Sequence, residues 1–376
     1  MTLRNIPLRP VSNEELPEFH KHVCPPTFGG GPIDPVTPTR RIARDLAVNI
    51  GLDVPGSGRV PMWVLEDPDD KDGGQVFPSK PIRTVEGDVV HARVGAKLNT
   101  HTVHWHGIEP TPMNDGVGKH SFEISGHFTY QFATRQAGTF LYHCHKNTAL
   151  HFEMGLYGAL IVDPKKPDTP EARYYPEPPY PPGGPGYVRA YNPPWHVVPY
   201  DIEALWVPDD IDTRWHKLAH DAFMQKCNPD DPTAAENFTR DGILNDFRPD
   251  VFVLSGEARR ADDDTPFEKA AVHAKVDQTI LLRFIDASYS VQEIHVGLPM
   301  TLVSQDGFTF GVGPTGQYNR PIEFEPNQTF RLTAAMRGNM LVRPTQPGRF
   351  PVTIDFFHWI SGRKLYTAKT FIDVAP

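Results

Sequence analysis

The sequence predicts an all-β protein of two Greek-key β-sandwich domains joined by a proline-rich linker. Three observations carry this expectation. Proline and glycine number 40 and 30 among 376 residues, proline at about twice its usual share, which argues against long helices. Short runs of β-favouring residues alternate with turn signals, as in Thr84–Val94, Phe128–Phe132 and Gly158–Val162. A ten-residue segment also recurs. Gln136-Ala-Gly-Thr-Phe-Leu-Tyr-His143-Cys144-His145 matches Gln346-Pro-Gly-Arg-Phe-Pro-Val-Thr353-Ile354-Asp355, with Gln, Gly and Phe in register.

In chain order, residues 1–45 read as an irregular arm, with Pro25-Pro26 and Gly29-Gly30-Gly31. Residues 46–165 carry the first set of strands. The stretch 166–199 is the proline-dense linker, since twelve prolines fall within 164–199 and such a run cannot occupy a sheet interior. Residues 200–376 form the second domain, with one helix near Asp212–Gln225. The His-Cys-His triplet of the first repeat becomes Thr-Ile-Asp in the second, so metal chemistry is expected in the first domain and is lost from the second.

Several function classes are excluded. The net charge is −9 and no Lys/Arg cluster interleaves with aromatics, so nucleic acid is not an expected partner. No apolar run approaches the length of a membrane span. Met1-Thr2-Leu3-Arg4-Asn5 opens without an apolar run, so no signal peptide is visible.

The histidines carry the functional signal. Eight of 17 fall between residues 101 and 151, where even spacing would put about two. They include His101-Thr-Val-His104-Trp-His106, His143-Cys144-His145 and His151. Strand alternation puts His143 and His145 on one face and Cys144 on the other, and likewise pairs His104 with His106. Two such pairs on neighbouring strands converge on a four-nitrogen site. Cys144, His151 and His101 then make a separate His₂Cys set, the ligand signature of blue copper. Structural zinc is the competing metal, but it commonly uses paired cysteines.

In order and spacing, His104-Trp105-His106-Gly107, Met113-Asn114-Asp115-Gly116-Val117, Gly138–His145 and His151–Leu156 resemble the motifs of laccase-like oxidases. The chain thus resembles the cupredoxin-domain copper enzymes, the superfamily of multicopper oxidases and copper nitrite reductases. Pro299–Gly307 more weakly resembles the copper-free middle domain of such oxidases. The resemblance implies two cupredoxin-like domains, with a type 1 copper on His101, Cys144 and His151. It places the axial position at Leu156, which cannot coordinate; Met154, nearer in sequence, competes for that role. It assigns His104 to a type 2 copper and His106, His143 and His145 to type 3 coppers. His104 and His145 draw the reading toward the oxidases, because nitrite reductases lack histidine at both positions.

The pattern breaks in the second domain, where two further His-x-His pairs are expected and none is found. His295 and His358 remain as candidate ligands there, with His295 and Asp355 as candidate catalytic groups for proton delivery. Two-domain enzymes of this superfamily commonly form homotrimers with the second copper site between subunits, which would let His295 and His358 join the first-domain histidines of a neighbour. The expected function is a copper oxidoreductase taking electrons from a small reductant or metal ion and reducing oxygen. The alternatives are a nitrite-reductase-like enzyme with one catalytic copper and a non-catalytic blue copper electron carrier. Blue copper chemistry suits a periplasmic or secreted location. Cys24 and Cys227 are either a disulfide or two free thiols. His120 could line a substrate entrance, while His127 reads as structural.

Overall fold

The computed structural model describes residues 37–117, 121–224 and 246–376. The first half builds two facing sheets. β1 (Arg40–Val54), β2 (Gly58–Glu66), β3 (Ser79–Val85) and β4 (Val89–His101) are followed by β5 (His104–His106), β6 (Ile124–Ala133), β7 (Gly138–His143) and β8 (Tyr157–Asp163). One sheet runs β2-β1-β4-β6 and the other β3-β8-β7-β5, with β1–β4 and β3–β8 parallel and the remaining pairs antiparallel. Alternating inward residues, among them Val90, Ala92, Val94, Trp105, Tyr130 and Tyr142, fill the space between them. Two short helices interrupt the strands, α1 (Pro112–Asp115) and α2 (Thr148–Glu153).

The first strand begins at Arg40, inside the expected arm. It docks in parallel on β4, with Arg40 opposite Val90, and this long-range pairing leaves no local turn signal in the sequence. The proline-rich stretch likewise holds more structure than a linker. It carries the antiparallel pair β9 (Gly186–Arg189) and β10 (Val197–Tyr200), and it buries Tyr180, Tyr187 and Val197 in a small core of their own. Tyrosines supply apolar area there while prolines take the turns.

The second half opens with β11 (Ile202–Trp206), β12 (Pro208–Ile211), α3 (Thr213–Met224), β13 (Val251–Leu254) and β14 (Glu257–Arg260). It continues through β15 (Val272–Lys275), β16 (Ile280–Ile285), β17 (Val291–Val296), β18 (Met300–Gln305), β19 (Phe308–Thr309) and β20 (Ile322–Phe324). It closes with β21 (Phe330–Leu332), β22 (Arg337–Val342), β23 (Gly348–Phe357) and β24 (Lys364–Ala375). One sheet runs β11-β16-β22-β18-β19 with β20 on β18; the other runs β15-β24-β23-β17-β21. These pairings repeat the first half, with β11∥β16 answering β1∥β4 and β15∥β24 answering β3∥β8. Both halves are cupredoxin-like sandwiches. The expected helix near Asp212–Gln225 is α3, which packs Trp215 and Ala219 into the first-half core rather than that of the second.

A buried polar cluster ties the halves together. Arg283 of β16 donates from Nε to Glu203 of β11 at 2.6 Å and from Nη1 to Thr139 of β7 at 2.9 Å. Arg83 of β3 donates to Glu203 and to the Tyr180 carbonyl. Burial pushes Glu203 up, but Arg283 and Arg83 outweigh it and hold the carboxyl below its ordinary range. Glu203→Ala would leave two buried guanidinium groups with too few anions, so it should cost about 3–5 kcal/mol of unfolding free energy by denaturant titration. A loss under about 1 kcal/mol would mean that water or another group neutralises the site.

A second buried cluster gathers Asp209, Asp210, Asp286 and Glu153. The Asp286 Oδ1 accepts from the Ser288 amide and hydroxyl and from Gln292, while its Oδ2 has no partner among the described residues. Burial raises Asp286 well above an ordinary aspartate, with Asp210 and Asp209 adding to the rise. The folded state therefore holds this proton to higher pH than the unfolded chain does, and its stability falls as pH rises past the ordinary aspartate range. Asp286→Asn removes that titration. The difference in melting temperature between variant and wild type should move in the variant's favour from about pH 4 to about pH 8. A difference that stays constant would show an unperturbed Asp286.

Candidate metal centre

His101 ends β4, Cys144 follows the last residue of β7, and His151 lies on α2. The Cys144 Sγ is 3.2 Å from the His151 Nδ1 and 3.6 Å from the His101 Nδ1, and the two imidazole centroids are 4.8 Å apart. All three ligand atoms lie within 4.8 Å of one another. The Cys144 amide donates to the Leu156 carbonyl at 2.9 Å, and Trp63 meets His151 edge-on at 5.5 Å. Met154 and Leu156 are both fully buried in the same core cluster as Cys144. Burial pushes the Cys144 thiol up to about 11 and His151 down to about 3. The histidine is thus a neutral donor at physiological pH, whereas the thiolate needs a cation beside it.

The second set lies across β5 and β7. Their antiparallel register puts His104 opposite His143 and Trp105 opposite Tyr142, so the indole and phenol fill the core from the opposite face. The His104, His106 and His143 ligand atoms also lie within 4.8 Å of one another. The His145 ring stands 5.3 Å from His104 and 5.6 Å from His143, centroid to centroid. The four rings expected to converge do come together.

The hydrogen bonds fix tautomers. His143 Nδ1 donates to the Cys144 carbonyl at 3.0 Å and His104 Nδ1 to the Asp115 carbonyl at 2.9 Å, because a carbonyl only accepts. Each leaves Nε2 as a lone-pair donor. His143 Nε2 and His106 Nδ1 face each other at 3.4 Å. Burial lowers His143 to about 3 and His106 to about 4, and neighbouring histidines add to both. Neutral, converging, dry imidazoles suit a divalent metal, as the Cys-His-His set suits blue copper.

Asp115 is a positioning group that the motif contained but to which no role was attached. Its carboxylate also lies 3.2 Å from His104 Nδ1. It comes this close because the chain leaves α1 through Gly116 at φ 69°, where a Cβ would meet the Val103 carbonyl oxygen at 1.9 Å. Arg337 of β22 is the other group missed, standing beside His106 and lowering it further. Nothing in the local sequence ties it to a histidine some 230 positions earlier.

The second-half candidates lie elsewhere. His295 on β17 bonds Thr329 Oγ1 through Nε2 at 3.0 Å. Asp355 on β23 accepts from Lys364 and Thr367. The His358 Nδ1 accepts from the Ile360 and Ser361 amides in the turn that follows β23. None joins either three-ligand group among the described residues. His127 is exposed on β6, while His120, Cys24 and Cys227 lie outside the described residues.

Residues 74–167 match the family model described as multicopper oxidase. Copper is the cofactor of this domain family, and both donor sets above lie within the matched region. A copper resistance protein A homolog from Pseudomonas syringae pv. tomato is 32% identical over 163 residues, 35% of this chain and 27% of that protein. An L-ascorbate oxidase from Cucumis sativus is 39% identical over 107 residues, 27% of this chain and 17% of that protein. The chain thus matches less than a third of either relative's length. A blue copper oxidase from Nitrosomonas europaea shares the fold at a TM-score of 0.58 and 21% identity, covering 89% of this chain and 86% of that one.

A thiol held near 11 must lose its proton when metal binds, whereas His151 is already neutral. Copper affinity at the Cys144 set should therefore rise about tenfold per pH unit between about pH 6 and 9, as measured by competition with a chelator of known affinity. A pH-independent affinity would mean that the thiol is ionised before metal arrives.

Proposed function

We propose that the protein is a copper-dependent oxidoreductase in which His101, Cys144 and His151 hold a type 1 copper and His104, His106, His143 and His145 hold a second copper site. The observation that carries this reading is Cys144 itself, which belongs to one donor set while its peptide neighbour His143 belongs to the other. Copper bound at the two sets would supply one-electron transfer from a reductant on the Cys144 side and reduction of dioxygen on the histidine side.

The chain's own residues provide the path and the environment. A bonded route runs from the Cys144 sulfur through its backbone to both flanking histidines, and the His143 Nδ1–H to Cys144 carbonyl bond shortcuts it. Trp63, Met154 and Leu156 keep water from the thiol side. Leu156, five residues after His151 and buried in the same core cluster as Cys144, would offer a bound copper no donor atom, and Met154 is the neighbour that competes with it for that role. Asp115 holds the His104 tautomer and provides a carboxylate beside the histidine set.

His295 and His358 complete the second site only through a neighbouring copy in a homotrimer, with Asp355 or His295 delivering protons. The electron donor is a small reductant or a metal ion, a range spanned by the names of the two relatives above. Among the described residues no helix is long and apolar enough to cross a membrane. Copper chemistry favours a periplasmic or secreted location.

Copper per chain, measured with visible absorption and EPR on one sample, tests the proposal. Two or more coppers are expected, with an intense thiolate band and a second, non-blue signal lost in His104→Ala or His145→Ala. Turnover with oxygen should then exceed turnover with nitrite, and His295→Ala should weaken the non-blue signal in the trimer. One copper with no second signal would leave an electron carrier. Absence of the thiolate band would overturn the assignment of Cys144.

A further inference from the structure

A cavity lies in the seam between the two halves, beside the histidine donor set of the function proposed above. Its volume is about 470 Å³, within the usual range of small-molecule sites, and His106 forms part of its wall. Its apolar faces come from Phe140 and Ile108 of the first half and Met336 and Phe308 of the second. Phe308 is 44% exposed, so the wall it forms is open to solvent as well.

Two guanidinium groups line the same space. Arg337 is 4% exposed; its Nη1 donates to the Ala335 carbonyl and its Nη2 to the Asp306 carbonyl, while Asp306 Oδ1 lies 3.4 Å from Nη1. The Arg337 Nε, although buried, has no partner among the described residues, which is an unusual state for such a donor. Gly107, at φ 89°, makes room for this arginine, since a Cβ there would meet Nη2 at 2.8 Å. Arg135, at the mouth, makes no hydrogen bond or ion pair among the described residues. Its neighbour Gln136 donates to the Gly307 carbonyl across the seam and so fixes the backbone that carries Arg135.

The acidic groups limit the charge that such a cavity accepts. Asp306 is engaged by Arg337, and Glu109 also lines the space. A polyanion would meet Glu109 at close range, while a neutral ligand would leave Arg135 unmet. The geometry points to a binding site for a small monocarboxylate carried on an aromatic ring, its ring against Phe140, Phe308 and Met336 and its carboxylate on Arg135, with the buried Arg337 adding positive charge to the wall. A guanidinium fork matches a carboxylate in geometry and charge. Because the site borders His106, an occupant would sit next to the histidine donor set without replacing any of its ligands.

Calorimetric titration of the copper-loaded full chain with sodium benzoate, and with neutral benzamide as its isostere, tests this. Benzoate should bind at least about tenfold more tightly than benzamide, and Arg135→Gln should remove that preference. Phe308→Ala should weaken both ligands, and Arg343→Gln, an exposed arginine outside the cavity lining, should change neither. Arg135 and Phe308 are exposed enough to be replaced without disturbing the core. Equal binding of benzoate and benzamide, an unaltered preference in Arg135→Gln, or an equal loss in Arg343→Gln would each overturn the assignment. The thiolate band, read on the same samples, reports on the Cys144 centre independently, so failure here is distinguishable from failure of the proposed function.

Discussion

The antiparallel pairing of β5 with β7 is the constraint on which the metal centre depends. It sets His104 opposite His143 and His106 opposite Leu141, while Trp105 and Tyr142 turn inward as the core's anchor. A slip of one residue would exchange the two faces, burying imidazoles among Phe132, Tyr130 and Leu160 and turning the indole toward the histidines. The register is therefore defended by packing as well as by hydrogen bonds. Cys144 gains its opposite orientation from the same alternation, carried one residue past the end of the strand. Its amide bond to the Leu156 carbonyl then ties it to the segment that brings His151 back.

Burial does the electrostatic work at both donor sets, and it acts in opposite senses on the two ligand types. It strips protons from His106, His143 and His151, making them ready donors, and keeps the Cys144 proton in place until a cation arrives. The dry environment has structural sources outside the ligand residues. Trp215 and Ala219 of α3 close the first-half core from the second half of the sequence. His216, on the same helix, bonds the Pro61 carbonyl at 2.7 Å and lies 3.3 Å from Glu153 at the end of the helix that carries His151. The segment that holds α3 thus belongs, in packing terms, to the first half.

The histidine faces were legible because strand periodicity and the tight His-x-His and His-Cys-His spacings act locally. The repeat at Gln136 and Gln346 was legible for a similar reason, since Gly138 and Phe140 occupy the same strand positions as Gly348 and Phe350. Groups brought in by long-range packing were not. Arg337 reaches His106 because β22 lies beside β7 across the seam, and no spacing rule encodes that. The first strand was hidden in the expected arm because its partner, β4, lies some 50 residues away, and local turn chemistry says nothing about such a pairing. The proline-rich stretch misled for a compositional reason: its prolines signal irregular backbone, while its tyrosines, which decide the burial, are too sparse to make a periodic pattern.

The topological repeat also explains why the second half looks different chemically while keeping the same frame. β23 takes the place of β7 and β17 that of β5, so His295 opposite Thr353 occupies the position of His104 opposite His143. Asp355, opposite Glu293, takes the place of His145, while the place of His106 falls to Gly297, which has no side chain to offer. One histidine in a set of threonine, glutamate and aspartate cannot assemble a nitrogen cage, and each of these groups has instead acquired a local partner: Thr329 for His295, Arg331 for Glu293, Lys364 and Thr367 for Asp355. Within one chain this half instead contributes side chains to the seam. Arg283 and Glu203 clamp the sandwiches, and Asp306, Phe308 and Arg337 face His106 from across it. Duplication of one sandwich thus yields a donor face and a shaping face, and the divergence of the second copy follows from the different surface it has to complement.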